Sequence, residues 1–139
     1  MSQNEKCVMV IDEHLPLGII ANTAAVMGIT LGKLKPEIVG TTVLDKDFNQ
    51  HLGVITFPVP ILKADASKIQ ELREFLYQEA YQDVLCVDFT LQAQECKAYE
   101  EYIEKMKHVS QKDLVYMGIA ICGPKKKVNS LTGSMPLLR

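Results

Sequence analysis

The sequence contains no tryptophan, only 6% aromatic residues and three histidines among 139 residues. The histidines are scattered, and none of the four cysteines belongs to a Cys-x-x-Cys pair. The spacing that marks a zinc site or a thioredoxin-like redox motif is therefore missing. We expect neither a bound metal nor another cofactor.

The sequence also lacks a long apolar run and a strong excess of either charge. No segment approaches the roughly 20 apolar residues of a membrane span, and residues 1–6 are polar with no signal-type segment after them. The formal net charge is −2, so the chain as a whole is not suited to coat a polyanion. We expect a cytoplasmic protein with no membrane contact, in which any nucleic-acid contact is local.

The remaining composition is that of an ordinary globular domain. Apolar residues make up 47% and charged residues 23%, close to the average, and 139 residues suffice for one core. Apolar strand-like runs alternate with helical patterns, which predicts a single three-layer α/β/α domain over residues 1–139 with a small mixed sheet. The predicted strands are residues 7–11, 84–89 and 114–122, together with an irregular or edge strand at residues 54–62. The predicted helices are 19–31, 66–81, 91–108 and a short one that stops near Gly133.

Two of these helices carry further expectations. The segment 19–31 is apolar almost all round, which predicts a helix buried on every side. The segment 66–81 is amphipathic, and Ser67 and Gln70 have the spacing of a capping box at its start.

Three cysteines lie in apolar runs and one does not. Cys7, Cys86 and Cys122 are surrounded by aliphatic residues, so we expect reduced thiols that act as small core hydrophobes. Cys96 lies among polar residues of a predicted helix and is expected to be partly exposed, with no neighbour that would activate it.

The junction of the first strand and the first helix is the first candidate site. It contains His14, Gly18, Asn22 and Thr23, where backbone N–H groups and the helix dipole suit an anionic or carbonyl oxygen. His14 is equally typical of an exposed loop. Gly18 could serve only the turn, and Asn22 only as a cap or a bridge to buried backbone.

The end of the strand 84–89 is the second candidate. Asp88 could orient a water molecule or act as a base. Thr90 could instead cap the next helix, with Asp88 a favourable charge near its amino end, and this capping interpretation is favoured.

The third candidate is Lys125-Lys126-Lys127, in a segment without acidic residues from Cys122 to Arg139. Such a patch can contact phosphate groups, although a short lysine run is more often a solvated loop.

Several motifs make the chain resemble a known family. They are Leu15-Pro16-Leu17-Gly18, Ala21-Asn22-Thr23-Ala24-Ala25-Val26, Phe57-Pro58-Val59-Pro60 and above all the segment from Gly118 through Gly123-Pro124 and Leu131-Thr132-Gly133 to Arg139. The family consists of uncharacterised bacterial proteins and is grouped with the fold of the archaeal and eukaryotic type of peptidyl-tRNA hydrolase. The resemblance implies that α/β fold over the whole chain. In the hydrolases the last strand likewise runs into a Gly-Pro turn and a Thr-Gly segment, which match Gly123-Pro124 and Leu131-Thr132-Gly133 here. Thr132 therefore joins Lys125 of the basic run as a candidate ligand-binding residue.

The resemblance supports a shared fold more strongly than a shared activity. The hydrolases open their first helix with a glycine and a catalytic lysine, whereas Gly18 is followed here by Ile19 and Ile20. We therefore expect a small binding or regulatory domain that uses Gly18, Asn22 and Asp88. The alternative is a diverged hydrolase of an RNA-linked or other ester or amide, in which Asp88 positions water and Asn22 helps to hold the oxyanion. A homodimer is expected on general grounds.

Overall fold

The main sheet has four strands, in the order β4-β1-β6-β5, in a computed structural model that describes residues 4–139. The strands are β1 (Glu5–Asp12), β4 (Ile61–Ala64), β5 (Leu85–Thr90) and β6 (Tyr116–Pro124). β1 runs parallel to β4 and antiparallel to β6, which is also antiparallel to β5. The predicted mixed sheet is confirmed. Two further strands, β2 (Val43–Leu44) and β3 (Gln50–His51), form a separate hairpin.

Five α-helices accompany the sheet within residues 4–139. They are α1 (Leu17–Leu34), α2 (Ala66–Leu76), α3 (Leu91–Gln94), α4 (Tyr99–Met106) and α5 (Lys125–Thr132). Side chains alternate between the two faces of a strand, so β1 contributes to two cores. Val8 and Val10 share one hydrophobic cluster with residues of α2 and α5, whereas Met9 and Ile11 share another with Met27 of α1. α1 therefore covers one face of the sheet, and α2 and α5 cover the other.

α1 is not buried on every side, contrary to the sequence expectation. Only Thr23, Met27 and Leu31 are buried, since these residues at spacings of four form the single stripe that meets the sheet. The sequence pattern is misleading because the outward face is apolar as well. α1 also has the length and hydropathy of a membrane span, with mean hydropathy 1.5 over 18 residues, a test that core helices of globular proteins pass too.

The helices differ from the prediction in extent, capping and continuity: α1 is longer than the predicted 19–31, and α2 ends at Leu76, short of the predicted 81. The cap of α2 is Asp65, whose carboxylate accepts the Lys68 N–H at 2.8 Å, and not Ser67. The predicted helix 91–108 is divided into α3 and α4, because Ala98 is extended and the backbone N–H of Lys97 donates to Glu101 at 3.3 Å. This interruption opens a space beside α1 and β5.

The β4 edge of the sheet depends on a C-terminal segment whose pairing the sequence pattern does not show. The run 54–62 is largely irregular, and the edge strand begins only at Ile61, after the two prolines. The C-terminal tail then pairs with β4: Lys63 N–H donates to Pro136 and Leu138 N–H to Ile61, each at 2.9 Å. β5 forms the opposite edge.

The expectation of buried, reduced thiols is confirmed for burial and wrong for the redox state at Cys7 and Cys122, whereas Cys86 is reduced as expected but only partly buried. Cys7 and Cys122 are 0% and 1% exposed, and their sulfurs form a disulfide between directly opposed residues of β1 and β6. A separation of 115 residues hides this pairing from sequence reasoning. Cys86 and Cys96 are free thiols of intermediate exposure.

Candidate functional site

A cavity of about 530 Å³ lies between α1, the edge strand β5 and the segment that joins α3 to α4. We call it the α1–β5 cavity. Its walls are mostly apolar, and they consist of Val26, Thr30, Val87, Asp88, Phe89, Ala93, Cys96, Lys97, Ala98, Tyr99 and Tyr102.

α1 forms one wall through residues spaced by four. Val26 and Thr30 line the cavity, and Asn22 lies one turn earlier on the same side of the helix. The Asn22 side-chain amide donates to the side-chain oxygen of Gln94 at 3.2 Å. This bond joins α1 to α3 beside the cavity, which makes Asn22 a bridge between two helices.

β5 forms the second wall through its edge. Val87, Asp88 and Phe89 are consecutive and all line the cavity, although neighbouring side chains of a strand point to opposite faces. This wall of the cavity must therefore include the backbone along the edge of β5 as well as side chains. Val87 and Phe89 belong to the cluster on the α1 face and supply its apolar surface.

The segment 96–102 supplies the polar and aromatic features. The rings of Tyr99 and Tyr102 meet edge to face, with centroids 5.6 Å apart. Burial raises the pKa of Tyr102, so its hydroxyl stays protonated at neutral pH and can donate a hydrogen bond. Among the described residues, no carboxylate lies within ion-pair distance of the Lys97 ammonium. The cavity thus combines apolar and aromatic walls with a lysine that has no ion-pair partner among the described residues, while Asp88, which also lines it, is paired with Arg73.

The side chain of Asp88 is held on the other face of the sheet. Arg73 Nε of α2 donates to Asp88 Oδ2 at 2.9 Å, and the two side chains are 13% and 22% exposed. The Tyr77 ring lies 3.9 Å from the guanidinium carbon of Arg73 and adds a cation–π contact. The structure therefore does not bring the Asp88 carboxylate and the Asn22 amide together, because α1 and α2 cover opposite faces.

A second polar pair lies at the start of β6. The Tyr116 hydroxyl donates to the Gln111 side-chain oxygen at 2.6 Å, and burial raises the pKa of Tyr116. Within residues 4–139, the Gln111 Nε2 atom is buried without a hydrogen-bond partner. A protonated phenol and an amide supply no base at neutral pH, so this pair does not add a catalytic group.

Two other predicted ligand residues lie on the open surface: His14 in the turn before α1, and Gly18 in the first turn of that helix. His14 is exposed, and its N–H donates to Asp12 Oδ1 at 3.0 Å in the turn after β1. Gly18 is exposed as well, with no atom within 4 Å of the position a Cβ would occupy. Neither residue lines the α1–β5 cavity.

The three predicted threonines are buried and bonded to their own helices. Thr23 donates to the Ile19 carbonyl at 2.7 Å, and Thr132 donates to the Val128 carbonyl at 2.8 Å. Thr90 accepts the Ala93 N–H at 3.3 Å and caps α3, which confirms the capping interpretation. Each threonine thus has a structural role, although the Asp88 part of the capping interpretation is not met, because Asp88 pairs with Arg73.

The lysine run begins α5 and is only partly available. Lys127 donates to the Ala80 carbonyl at 2.6 Å and forms an ion pair with Asp83 at 2.8 Å. The side chains of Lys125 and Lys126 are exposed. Within residues 4–139, no group of three or more histidine, cysteine or acidic side chains could hold a metal ion.

Sequence reasoning missed Lys97, Tyr99 and Tyr102 as cavity residues. The sequence pattern predicts one uninterrupted helix over 91–108, which gives no sign that residues between α3 and α4 line a cavity. The available signal was the polar stretch around Cys96, where the helix is interrupted between Gln94 and Tyr99.

Comparison with known proteins gives a family and a fold. The model of a family described as "Protein of unknown function (DUF2000)" matches residues 5–139. The chain belongs to the DUF2000 family. A solved structure of a protein of unknown function from Agrobacterium tumefaciens strain C58 is similar to this DUF2000 chain, with 15% identity, a TM-score of 0.87 and 98% of each chain covered. No curated protein matches the sequence. At 15% identity the solved structure supports the mixed α/β fold alone.

Proposed function

We propose that the protein is a small binding domain whose α1–β5 cavity takes a flat, largely apolar molecule with one anionic group. The observation that carries the proposal is the single uncompensated Lys97 beside apolar and tyrosine-lined walls. The apolar part of the ligand would contact Phe89 and the tyrosine rings, and the anion would meet the ammonium group. The volume of about 530 Å³ lies in the usual range of small-molecule sites.

A cavity-filling variant tests this proposal with the probe 1-anilinonaphthalene-8-sulfonate, an aromatic anion that fluoresces in apolar surroundings. Thr30 lines the cavity, so Thr30→Trp places an indole in the space the probe needs. Thr42→Trp makes the same chemical change on the exposed hairpin, away from the cavity, and is the matched control. The wild type and Thr42→Trp should bind one probe per chain, and Thr30→Trp should lose at least tenfold in affinity.

The outcome is decided by the comparison between these two variants. Equal probe affinity in Thr30→Trp and Thr42→Trp would place binding elsewhere and contradict the proposal. Circular dichroism of each variant checks that the sheet and helices are retained.

We also propose that the fold is that of the archaeal and eukaryotic type of peptidyl-tRNA hydrolase. In support, β6 ends at Gly123-Pro124 and α5 ends at Thr132 before Gly133, the two motifs on which the resemblance depends most. A hydrolase activity on this fold is the weaker proposal, because Asp88 already pairs with Arg73 and Asn22 with Gln94. Release of tRNA from peptidyl-tRNA, lost in Asp88→Asn, is the result that would favour it.

The remaining expectations also stay proposals. Lys125 and Lys126 are exposed and suit an RNA-linked ligand, whose binding should weaken steeply with salt. The expected cytoplasmic location stays a prediction, and a buried disulfide is rare in that compartment.

A further inference from the structure

The hydrogen bonds of β1 show which way the backbone of β6 faces. The Met9 N–H donates to the Pro60 carbonyl at 3.0 Å, so the backbone groups of Met9 face β4 and not β6. Met9 lies directly opposite Ala120 in the antiparallel pair of β1 and β6. This is therefore a pair without hydrogen bonds, in which Ala120 also turns its N–H and carbonyl away from β1 and towards β5.

The same alternation determines which groups of β5 are unpaired. Ala120 lies opposite Val87, so these two residues exchange hydrogen bonds between β6 and β5. The neighbours of Val87, Cys86 and Asp88, then direct their N–H and carbonyl groups outwards from the edge of the sheet. Within residues 4–139, no other backbone segment is hydrogen-bonded to these outward groups.

The outward groups of Asp88 lie in the wall of the α1–β5 cavity. The Asp88 carboxylate pairs with Arg73 on the other face of the sheet, so Asp88 lines the cavity through its backbone. A ligand that fills the cavity removes water from this N–H and carbonyl and has to supply an acceptor and a donor itself. Edge strands are commonly protected by a lysine or a proline, and β5 contains neither.

The opposite edge of the sheet is closed by an extended segment of the chain itself. Lys63 N–H donates to the Pro136 carbonyl, and Leu138 N–H donates to the Ile61 carbonyl, each at 2.9 Å. The C-terminal tail therefore completes β4 as an added strand would. In the part of the chain that the structure describes, β5 has no such covering segment.

We propose that the α1–β5 cavity binds the C-terminal segment of a peptide, which adds to β5 as a further strand. This inference rests on the proposed function, because it names the class of ligand that the same cavity takes. The peptide backbone would exchange hydrogen bonds with Asp88, and its apolar side chains would contact Val26 and Phe89. The terminal carboxylate would meet the ammonium group of Lys97.

The chemistry of the walls favours a peptide terminus over a small aromatic acid. Both ligands have an apolar body and one anion that matches Lys97, which has no ion-pair partner among the described residues. A small aromatic acid would leave the outward N–H and carbonyl of Asp88 without partners, which is costly once water is displaced. The main chain of an extended peptide supplies both a donor and an acceptor at the spacing of a strand.

Amide hydrogen exchange measured by NMR tests strand addition directly. The probe is an acetylated tetrapeptide of alternating valine and alanine with a free terminal carboxylate. The Val87 amide is bonded to β6 and should exchange slowly with or without this peptide. The Asp88 amide should exchange faster than the Val87 amide in the free protein and slow roughly tenfold or more at saturating peptide.

Methylated peptides distinguish strand addition from simple filling of the cavity. One isomer carries N-methyl groups on its first and third residues, and the other carries them on its second and fourth. Successive N–H groups of a strand point in opposite directions, so only one of these sets faces β5. One isomer should therefore bind roughly tenfold or more weakly than the unmethylated peptide, and the other should bind like it.

The role of the terminal carboxylate is tested with the same peptide carrying a terminal amide. The wild type should bind the amide roughly twofold to fivefold more weakly than the carboxylate, the scale of a solvent-exposed ion pair. Lys97→Gln should bind both peptides equally. Lys112→Gln removes an exposed charge outside the cavity and should keep the wild-type preference.

Failure of this inference is distinguishable from failure of the proposed function. If the peptide does not bind while Thr30→Trp still weakens binding of 1-anilinonaphthalene-8-sulfonate, the cavity is a binding site but not one for peptides. Equal affinities of the two methylated isomers, or an Asp88 amide that the bound peptide does not slow, would overturn strand addition. A slow Asp88 amide in the free protein, together with twice the chain mass in light scattering, would also overturn it, because a second copy would then occupy the edge.

Discussion

Arg73 on α2 and Asp88 on β5 form an ion pair with 2.9 Å between Nε and Oδ2, in a site that is largely closed to solvent. The carboxylate that the sequence marks as a candidate base is therefore the counter-ion of a buried guanidinium. The ring of Tyr77 covers the same guanidinium group, which further fixes its position. This relationship assigns Asp88 a structural role between the sheet and α2.

Loss of the carboxylate should destabilise the fold. In Asp88→Asn the mostly buried Arg73 keeps its charge and loses its partner, which should lower the free energy of unfolding by about 1–3 kcal/mol. Urea denaturation followed by circular dichroism measures this change.

Asp83→Asn is the control for this prediction. Asp83 also accepts a hydrogen bond from a cation, Lys127, but the Asp83 side chain is 52% exposed. Loss of this carboxylate should therefore change the urea midpoint little. Equal destabilisation by the two variants would show that burial of the Arg73–Asp88 pair adds no stability.

The parts of the fold that the sequence predicts are those decided by local patterns. The apolar runs of β1 and β6 and the Thr90 cap depend on neighbouring residues, and all three are present. Partners that are distant along the chain stay hidden: Arg73 and Asp88 are 15 residues apart, and Asn22 and Gln94 are 72 apart. The burial of α1 is also mispredicted, because the apolar residues on its outward face have the composition of core residues.

The disulfide should contribute strongly to stability. The bond joins Cys7 and Cys122 across 115 residues and restricts a very large loop of the unfolded chain. Removing it in Cys122→Ala, or reducing it with dithiothreitol, should lower the free energy of unfolding by about 3–5 kcal/mol. Denaturation with and without reductant measures the difference.

A double variant separates the disulfide from simple packing. Cys7→Ala with Cys122→Ala keeps small apolar groups in the core but cannot form the bond, so reductant should leave its midpoint unchanged. An identical wild-type midpoint with and without reductant would exclude a stabilising disulfide.

Alkaline pH should destabilise the protein through Cys86. Burial raises the pKa of its thiol from about 9 to about 12. Above about pH 9 the unfolded chain releases this proton while the folded chain retains it, so the folded state binds more protons and stability falls as pH rises towards 12. Urea midpoints at about pH 8 and about pH 10.5 measure the slope.

Cys86→Ala removes this titration and should show a shallower loss of stability over the same interval. Tyr102 and Tyr116, whose pKa values burial also raises, leave part of the slope in place. Cys96→Ala retains Cys86 and should keep the wild-type slope. Parallel pH profiles for the wild type and Cys86→Ala would remove Cys86 from the explanation.

Lys97 should determine how strongly the α1–β5 cavity prefers anions. Its ammonium lines the cavity without a carboxylate partner among residues 4–139, so Lys97→Gln leaves the walls in place and removes the charge. The affinity for 1-anilinonaphthalene-8-sulfonate should fall roughly twofold to fivefold, the scale of a solvent-exposed ion pair. Fluorescence titration at low and high salt measures it, and the loss should shrink as salt screens the charge.

A neutral probe makes this last prediction specific. 6-Propionyl-2-dimethylaminonaphthalene has a similar apolar body and no charge, so its affinity should be equal in the wild type and Lys97→Gln. Lys112→Gln removes an exposed charge outside the cavity and should change neither titration. If Lys97→Gln weakened both probes equally, the side chain would act through the shape of the cavity and not through its charge, because only the anionic probe senses the ammonium group.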